Sequence, residues 1–215
     1  MAEVKVGTAI YRHDLSSILA LFRLIPEPGN RFPPYKAGQY IALRREKCGL
    51  TKRIVHPGGR IEYIPDLDAS GNQKRGQVTH SYSISSAPYE TDQSKYLEFY
   101  IILEMREDGK PGRLTESLFQ IDPHEDNRIT YFTKIAGDFT LEKRAAGAEN
   151  VVMVGSGTGL APFAAMIKQL HFEASNGSPR GGRYTLFHAN RGLAELAYHQ
   201  QLMEIEAERR FDFVY

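Results

Sequence analysis

Short alternations of apolar and polar residues, separated by turn residues, fill the chain from its start to about residue 143. A strand that faces a core on one side alternates in this way, so the pattern predicts an antiparallel β-barrel over residues 1–143. Prolines and glycines between the first predicted strands mark the turns. The predicted strands are residues 3–10, 18–24, 39–43, 80–85, 96–104 and 128–134.

The segment 48–78 interrupts this series with glycine, proline and charged residues. Its sequence TKRIVHPGGRIEYI predicts two short strands about a Pro-Gly-Gly turn, which together form an inserted hairpin. Cations are frequent here, and the segment either binds an acidic partner or is a solvated surface loop. The cations within this segment and just before it are Arg44, Arg45, Lys47, Lys52, Arg53, Arg60, Lys74 and Arg75.

After the small-residue linker 145–148 the period changes. The run from Val151 to Val154 is continuously apolar, which is typical of a parallel strand buried on both faces. The next segments predict a β-α-β-α-β order, the repeating unit of a nucleotide-binding α/β parallel-sheet domain over residues 150–215. The predicted elements are a helix over 162–174, a strand over 184–188, a helix over 193–208 and a strand over 211–215.

Composition narrows the class of protein. The chain has 215 residues, 41% hydrophobic and 25% charged, with a formal net charge of +1. These values indicate an ordinary globular protein and give no reason to expect nucleic acid or a membrane as a partner. The start lacks the apolar run of a signal peptide, and no stretch approaches the ~20 apolar residues that span a bilayer. We therefore expect a cytoplasmic protein.

Cysteine and histidine usage argues against metal centres. Cys48 is the single cysteine, so it has no partner within the chain for a disulfide, whereas an iron-sulfur cluster usually takes about four thiolates. The seven histidines are scattered without close pairs at ligand spacing. The sequence therefore predicts no metal site.

The strongest motif is VVMVGSGTGLAPF, an apolar strand that leads into Gly155, Gly157 and Gly159 and then into a helix that opens near Pro162. Glycines allow the backbone to approach a pyrophosphate, and the amides and dipole of a helix start favour an anion. Proline in the first turn costs no hydrogen bond. A plain packing turn is the alternative, but the strand-turn-helix context favours nucleotide binding.

The segment GSGTGLAPF is similar to the NADP-pyrophosphate motif of the ferredoxin-NADP(+) reductase family. That family also carries an Arg-x-Tyr-Ser segment on a barrel strand and, later, a Gly-x-x-Thr or Gly-x-x-Ser loop. This chain has HSYS at residues 80–83 and GRLT at residues 112–115, in the same order. The chain therefore resembles bacterial ferredoxin-NADP(+) reductases along almost its whole length, apart from the insert.

The resemblance implies roles for individual residues. Tyr82 would lie against a flavin ring and Ser83 near its N5 atom, so these two are the expected catalytic residues. The strand pattern alone makes the alternative prediction that Tyr82 is a core aromatic residue and Ser83 its solvent-exposed neighbour. The expected cofactor-binding residues are His80, Ser81, Tyr82, Ser83, Ile102, Leu103, Glu104, Gly112, Arg113, Leu114, Thr115, Gly155, Gly157, Thr158, Gly159, Leu160, Ala161, Pro162, His188 and Arg191.

His80 departs from the family pattern, because the family usually has an arginine there that pairs with the flavin pyrophosphate. A charge-assisted hydrogen bond contributes roughly 1.5–3 kcal/mol, so its loss would weaken flavin binding by about ten- to a hundredfold. Arg113 lies within the other pyrophosphate segment. We hypothesise that Arg113 supplies the missing charge.

The second nucleotide-domain segment, YTLFHANRGLAELAY, places Arg191 where bacterial members have an arginine. By resemblance it would face the adenosine 2′-phosphate and favour NADPH over NADH, with His188 as a possible helper. Alternatively, Arg191 is an ordinary surface arginine. Lys134 and residues 137–140 resemble the family segment that passes beneath the flavin at the domain junction.

The implied function is that of a flavoprotein oxidoreductase. It would transfer hydride between NADPH and FAD, with NAD(H) possible, and single electrons to or from a ferredoxin or flavodoxin. Two alternatives remain: the reductase component of a multicomponent oxygenase, and a nucleotide-binding module that has lost flavin. The family normally continues past the third strand, so we expect the nucleotide domain to be short here and the chain to be a fragment.

Overall fold

The computed structural model describes residues 3–122 and 125–215. The first half contains one six-stranded antiparallel sheet in the order β6-β3-β8-β1-β2-β7. Its edges meet where the Ser85 amide donates to the Glu98 carbonyl at 2.8 Å, so the sheet curls into a barrel. The strands of this half are β1 (Val4–Ser16), β2 (Leu19–Pro26), β3 (Tyr40–Gly49), β4 (Thr51–Val55), β5 (Ile61–Pro65), β6 (Arg75–Ser83), β7 (Leu97–Ile102) and β8 (Arg128–Phe132).

All six predicted barrel strands are present, although several are longer than predicted. The inserted hairpin is present as β4 and β5, which pair antiparallel from Thr51 with Pro65 to Val55 with Ile61. They form a two-stranded sheet of their own, separate from the barrel sheet. The hairpin therefore adds a structured arm to the barrel.

Strand β2 is apolar at most of its consecutive positions. Phe22 and Leu24 point into the barrel core, whereas Leu19 and Leu21 pack in a second apolar cluster together with residues of the other half of the chain. Because both faces are covered, β2 lacks the alternation of a half-exposed strand.

Three short helices were not predicted: α1 (Pro88–Ser94), α2 (Arg113–Phe119) and α3 (Leu141–Arg144). Helices of 4 to 7 residues carry too few positions for a 3.6-residue period to be detected. Helix α2 positions the site described below. Its Leu114 and Leu118 are fully buried in the barrel core and hold the start of the helix in place.

The second half is a parallel sheet of β9 (Asn150–Ser156), β10 (Arg183–Ala189) and β11 (Phe213–Val214) in the order β11-β10-β9. Helices α4 (Ala161–Ser175) and α5 (His199–Glu208) accompany it. The predicted helix 193–208 is wrong as a single element. It divides into a 3₁₀ turn over Leu193–Glu195 and α5, because Tyr198 adopts φ 63° and interrupts the helix.

The expectation of a parallel strand buried on both faces is also wrong for β9. Met153 packs in the same apolar cluster as residues of α4 and α5, whereas Val152 and Val154, on the opposite face, are 64% and 68% exposed. Phe187, the register partner of Val154 on β10, is 60% exposed. Both helices cover the same face of this sheet. Within the described residues, we find no helix with the length and apolarity needed to cross a bilayer.

Candidate functional site

Three segments that are far apart in sequence line one cleft of about 350 Å³ on the barrel. His80 comes from β6, Glu104 follows the end of β7, and Gly112 and Arg113 form the start of α2. The fold therefore brings together the HSYS and GRLT motifs that the sequence analysis selected. The complete lining is Ile61, Tyr63, His80, Glu104, Met105, Arg106, Glu107, Gly112 and Arg113.

Hydrogen bonds fix the backbone at the start of α2. The Gly112 amide donates to the Glu104 carbonyl at 2.7 Å, and the Thr115 hydroxyl donates to the Gly112 carbonyl at 3.1 Å. The Glu104 amide lies 3.3 Å from the same hydroxyl oxygen. A Cβ on Gly112 would stand 3.1 Å from Thr115 Oγ1 and 3.3 Å from Glu104 Oε2, so a larger residue would crowd both. The segment 112–115 is thus a rigid helix start rather than a loop.

Tyr82 presents a buried polar atom beside this cleft. Its ring packs against the barrel core, and its hydroxyl is buried without a hydrogen-bond partner among the described residues. Burial raises the pKa of Tyr82, and the nearby Glu104 carboxylate raises it further. Ser81 and Ser83 point to the other face of β6, since side chains alternate along a strand. The phenol therefore stays protonated and is a hydrogen-bond donor that the described residues leave unpaired.

The charges of the cleft nearly cancel. Arg106 and Arg113 are cations, whereas Glu104 and Glu107 are anions, and His80 completes the polar lining. Sequence reasoning identified His80, Glu104, Gly112 and Arg113 but missed Ile61, Tyr63, Met105, Arg106 and Glu107. The alternation of Ile61 and Tyr63 on β5 was the available signal, because it places two apolar side chains on one face of the hairpin.

The backbone around residues 102–104 is partly engaged already. Strand β7 ends at Ile102, and the Leu103 amide donates to the Ile18 carbonyl at 2.7 Å. Further along, the segment 137–140 reaches the other half of the chain, where the Phe139 ring meets the Phe163 ring of α4 edge to face at 5.4 Å. The segment that carries Lys134 therefore leads from β8 to the junction of the two halves.

The glycine motif lies at the carboxyl edge of the parallel sheet, where such sheets bind ligands. Gly155 must be small, because a Cβ there would lie 3.0 Å from the Leu160 Cα. Gly157 has φ +53°, and a Cβ on Gly157 or Gly159 would meet no atom within 4 Å. A 3₁₀ turn over Gly157–Leu160 leads into α4 at Ala161, and Pro162 stands in its first turn. Thr158 lies in the 3₁₀ turn.

His188 and Arg191 follow the same edge on β10. His188 pairs in register with Gly155, and its Nδ1 lies 3.3 Å from the Tyr215 hydroxyl. Burial lowers the pKa of His188, and His199 lowers it further, so the imidazole is neutral at pH 7. The Arg191 side chain is exposed, with Nε 3.7 Å from Glu195 Oε2. Its guanidinium is therefore accessible to a ligand at this edge.

Several cations of the insert and of the adjoining end of β3 are paired with nearby carboxylates. Asp66 lies 3.2 Å from both Lys52 and Lys74, and Arg44 contacts Glu46 at 2.8 Å. Arg45 is buried and contacts Asp126 at 2.6 Å. These ion pairs reduce the positive electrostatic field of the segment. The segment is therefore better interpreted as a solvated surface than as a binding site for an acidic partner.

Comparison with known proteins gives a family match for part of the chain and a fold for almost all of it. Residues 153–215 match the oxidoreductase NAD-binding domain family. The chain is 31% identical over 97 residues to the sulfite reductase [NADPH] flavoprotein alpha-component of Mannheimia succiniciproducens, a match that covers 45% of this chain and 16% of that protein. It is 28% identical over 181 residues to a flavohemoprotein of Chromobacterium violaceum, covering 82% of this chain and 34% of that protein.

The chain thus spans only a minor part of the curated relatives it matches. Among solved structures, it superimposes on a ferredoxin NADP+ reductase from Neisseria gonorrhoeae that has bound FAD and NADP, with a TM-score of 0.66 and 18% identity. That match covers 100% of this chain and 67% of the reductase. Residues 153–215 thus resemble the oxidoreductase NAD-binding domain family, and the fold of the chain is the two-domain fold of ferredoxin-NADP+ reductases.

Proposed function

We propose that this chain is the FAD- and NADP(H)-binding reductase module of a flavoprotein oxidoreductase. The observation that carries the proposal is the convergence of His80, Glu104, Gly112 and Arg113 on one cleft, beside the unpaired Tyr82 hydroxyl. A bound flavin would supply hydride exchange with a nicotinamide and single-electron transfer to a carrier protein. The residues of the chain bind and orient the cofactors and exclude water.

The flavin site fits the residues present. The Tyr82 hydroxyl donates to an oxygen of the cofactor, which satisfies an atom that the protein leaves unpaired. Arg113 is the cation beside Gly112, and it holds phosphate oxygens in place of the arginine that His80 replaces. Ser83, on the opposite face of β6, is proposed to contact the flavin ring near N5, and residues 102–104 to contact the linking chain.

The nicotinamide nucleotide occupies the carboxyl edge of the parallel sheet. The open space beside Gly157 and Gly159 accommodates a pyrophosphate that approaches the backbone closely. Arg191 selects NADPH over NADH, because the extra 2′-phosphate needs a cationic partner. His188 lines the same edge but is neutral, so it contributes no charge to this preference.

The relatives indicate the kind of electron partner only in general terms. One relative is a sulfite reductase flavoprotein component and another a flavohemoprotein. We propose that the module exchanges single electrons with a separate carrier, such as a ferredoxin, a flavodoxin or an oxygenase component, or with a haem domain. The division into a barrel domain over 1–143 and a nucleotide domain over 150–215 stays part of this proposal.

Two observations favour a second candidate, a nucleotide-binding module without flavin. The Glu104 carboxylate lies close to Gly112, where a pyrophosphate would approach, and His80 is not the arginine of the family pattern. Both features weaken anion binding at this position. Flavin content distinguishes the two functions, since only the first requires it.

The test is an absorbance spectrum of the protein reconstituted with FAD, followed by anaerobic addition of NADPH or NADH. We expect a flavin band that NADPH bleaches at lower concentration than NADH. In Arg191→Ala the NADPH requirement should rise about ten- to a hundredfold, with the NADH requirement unchanged. Arg183→Ala, at the opposite end of β10, is the matched control. Absence of any flavin band after reconstitution would leave the flavin-free module as the better account.

A further inference from the structure

The segment 190–198 connects β10 to α5 and carries Arg191; we call it the Arg191 loop. A barrel residue holds this loop. Tyr100 of β7 is 4% exposed, and its hydroxyl donates to the Glu195 carbonyl at 2.8 Å. The Asn190 side-chain amide donates to that same carbonyl at 2.7 Å and to the Tyr100 hydroxyl oxygen at 2.9 Å. One barrel side chain thus completes a triangle of hydrogen bonds that closes the loop.

The Tyr100 hydroxyl acts as donor and acceptor at once. Burial raises the pKa of Tyr100 to about 12, although the hydrogen bond from Asn190 acts in the opposite direction. The phenol therefore keeps its proton at pH 7 and donates it to the Glu195 carbonyl, while its oxygen accepts from Asn190. A phenylalanine at this position would keep the ring but lose both hydrogen bonds.

Both partners of Tyr100 contact Arg191. The Arg191 amide donates to the Asn190 side-chain oxygen at 3.1 Å, which fixes the backbone from which the arginine side chain extends. Glu195 contacts the side chain itself, since its Oε2 lies 3.7 Å from Arg191 Nε. Because this contact uses Nε, the terminal nitrogens of the guanidinium remain available for a phosphate. The triangle therefore sets both the backbone and the side chain of Arg191.

A second barrel contact fixes the far end of the Arg191 loop. Tyr198 precedes α5, and its hydroxyl lies 2.9 Å from Ser85 Oγ and 2.8 Å from Glu98 Oε1. Its ring meets the Tyr100 ring edge to face, with centres 6.4 Å apart. Tyr198 has φ 63°, which side-chain-bearing residues rarely adopt unless their surroundings impose it. The barrel thus contacts the loop on both sides of Arg191.

We propose that Tyr100 is a positioning residue, which sets the preference for NADPH over NADH by holding the Arg191 loop. This inference rests on the proposed function, in which Arg191 contacts the 2′-phosphate, and adds to it a barrel residue that touches no nucleotide. A loose loop would have to be ordered on binding, and this cost would reduce the affinity for the 2′-phosphate. NADH lacks that phosphate, so its binding does not depend on the loop.

The experiment measures the binding of adenosine 2′,5′-bisphosphate and of adenosine 5′-monophosphate by isothermal titration calorimetry. The two probes differ only in the 2′-phosphate, and neither depends on electron transfer. We expect Tyr100→Phe to weaken bisphosphate binding about five- to tenfold and to leave monophosphate binding unchanged. Tyr184→Phe is the matched control and should bind both probes like the parent. Tyr184 is 3% exposed on β10, and its hydroxyl donates to the Gly181 carbonyl at 3.1 Å, away from the Arg191 loop.

A double variant tests whether Tyr100 acts through Arg191. Arg191→Ala should lose the preference for the bisphosphate, and adding Tyr100→Phe to it should cause no further loss, because the positioned group is already absent. A further fivefold loss of bisphosphate binding in the double variant would overturn the inference, since Tyr100 would then act independently of Arg191.

The outcomes separate the inference from the function on which it rests. Unchanged bisphosphate binding in Tyr100→Phe overturns the inference. Equal weakening of both probes also overturns it, since a loosened fold would affect both alike. If Arg191→Ala loses the 2′-phosphate preference while Tyr100→Phe keeps it, the proposed NADPH preference stands and only the inference fails. A parent chain that binds both probes equally overturns the NADPH preference and the inference together.

Discussion

Both halves of the molecule have an apolar core, but they differ in the charges that they bury and in the apolar side chains that they leave exposed. The barrel core consists of apolar residues such as Phe22, Phe99 and Leu43, with Arg45 as a buried cation at its edge. The parallel-sheet half buries Lys168, on α4, which is 1% exposed, and leaves Val154 and neighbouring apolar residues exposed on one face. The barrel sheet curls around its own apolar core. The parallel sheet leaves apolar side chains exposed on the face opposite α4 and α5.

A cluster of balanced charges joins the halves. Lys168 Nζ lies 2.6 Å from Glu90 of α1 and 3.8 Å from Glu98 of β7. Glu98 also contacts Arg23 at 2.6 Å and accepts a hydrogen bond from the Tyr198 hydroxyl at 2.8 Å. Burial raises the pKa of Tyr198 well above its usual value, and Glu98 raises it further, so the phenol remains a donor. Two cations and two anions meet here.

Apolar burial and charged burial constrain the structure differently. Apolar burial stabilises the barrel without requiring one particular orientation of each side chain, because the hydrophobic effect is non-directional. The charged cluster is directional, since each ion must keep its partner or remain buried and unpaired. We infer that the charged cluster, together with the apolar contacts of Leu19 and Leu21, fixes how α4, and with it the glycine motif, sits on the barrel.

The largest expected effect comes from removing an aromatic ring in the barrel core. Phe22 is 1% exposed and packs against Phe119 with ring centres 5.7 Å apart. Phe22→Ala should lower the free energy of unfolding by about 3–5 kcal/mol, measured by urea denaturation followed by circular dichroism. Phe187→Ala, at an exposed site, is the control and should change it by less than about 0.5 kcal/mol. Equal losses would show that the burial of Phe22 is not the source of the destabilisation.

A smaller effect is expected at the junction. Lys168→Met removes the cation between Glu90 and Glu98, but Glu98 keeps Arg23. We expect a loss of about 2–3 kcal/mol, below the ~3–5 kcal/mol of a pair broken without any remaining partner. Hydrogen exchange should increase more in α4 and α1 than in the interior strands of the barrel.

Adding Glu90→Gln to Lys168→Met is the matched test of charge. The double variant should recover part of the loss, because it removes the negative charge that Lys168→Met leaves without a cation, while the glutamine can still accept from the Ala87 amide. A double variant less stable than Lys168→Met alone would show that packing, and not charge balance, holds the junction.

The smallest effect concerns His188 in the sheet half. Its pKa is lowered by burial and by His199, so below about pH 6.5 the unfolded chain binds a proton that the folded chain does not. This contribution destabilises the fold as the pH falls through the unfolded pKa and vanishes above it. His188→Gln should therefore flatten the decline of the melting temperature between pH 7 and pH 5. An unchanged pH profile would show that His188 does not titrate differently in the two states.

The sequence by itself determined the elements whose signals are local. Short apolar segments between turn residues predicted the barrel strands, and the Pro-Gly-Gly turn predicted the hairpin, because both signals depend on neighbouring residues. The strand, turn and helix of the glycine motif could be predicted for the same reason, since they are contiguous from Asn150 to Ser175. The site residues carried over by resemblance remain predictions, although the fold does bring His80 and Arg113 into one cleft.

The tertiary structure decided what depends on distant partners. Lysine is rarely buried unless it is paired, and only the approach of Glu90 and Glu98 explains the burial of Lys168. The apolar run from Val151 to Val154 predicts a strand that is buried on both faces. Val152 and Val154 are exposed because both helices lie on the opposite side of the sheet. Tyr63 joins the cleft because Arg106, 43 positions later in the chain, holds the hairpin there. Such contacts leave no periodic trace in the sequence, because they join residues whose neighbours along the chain are unrelated.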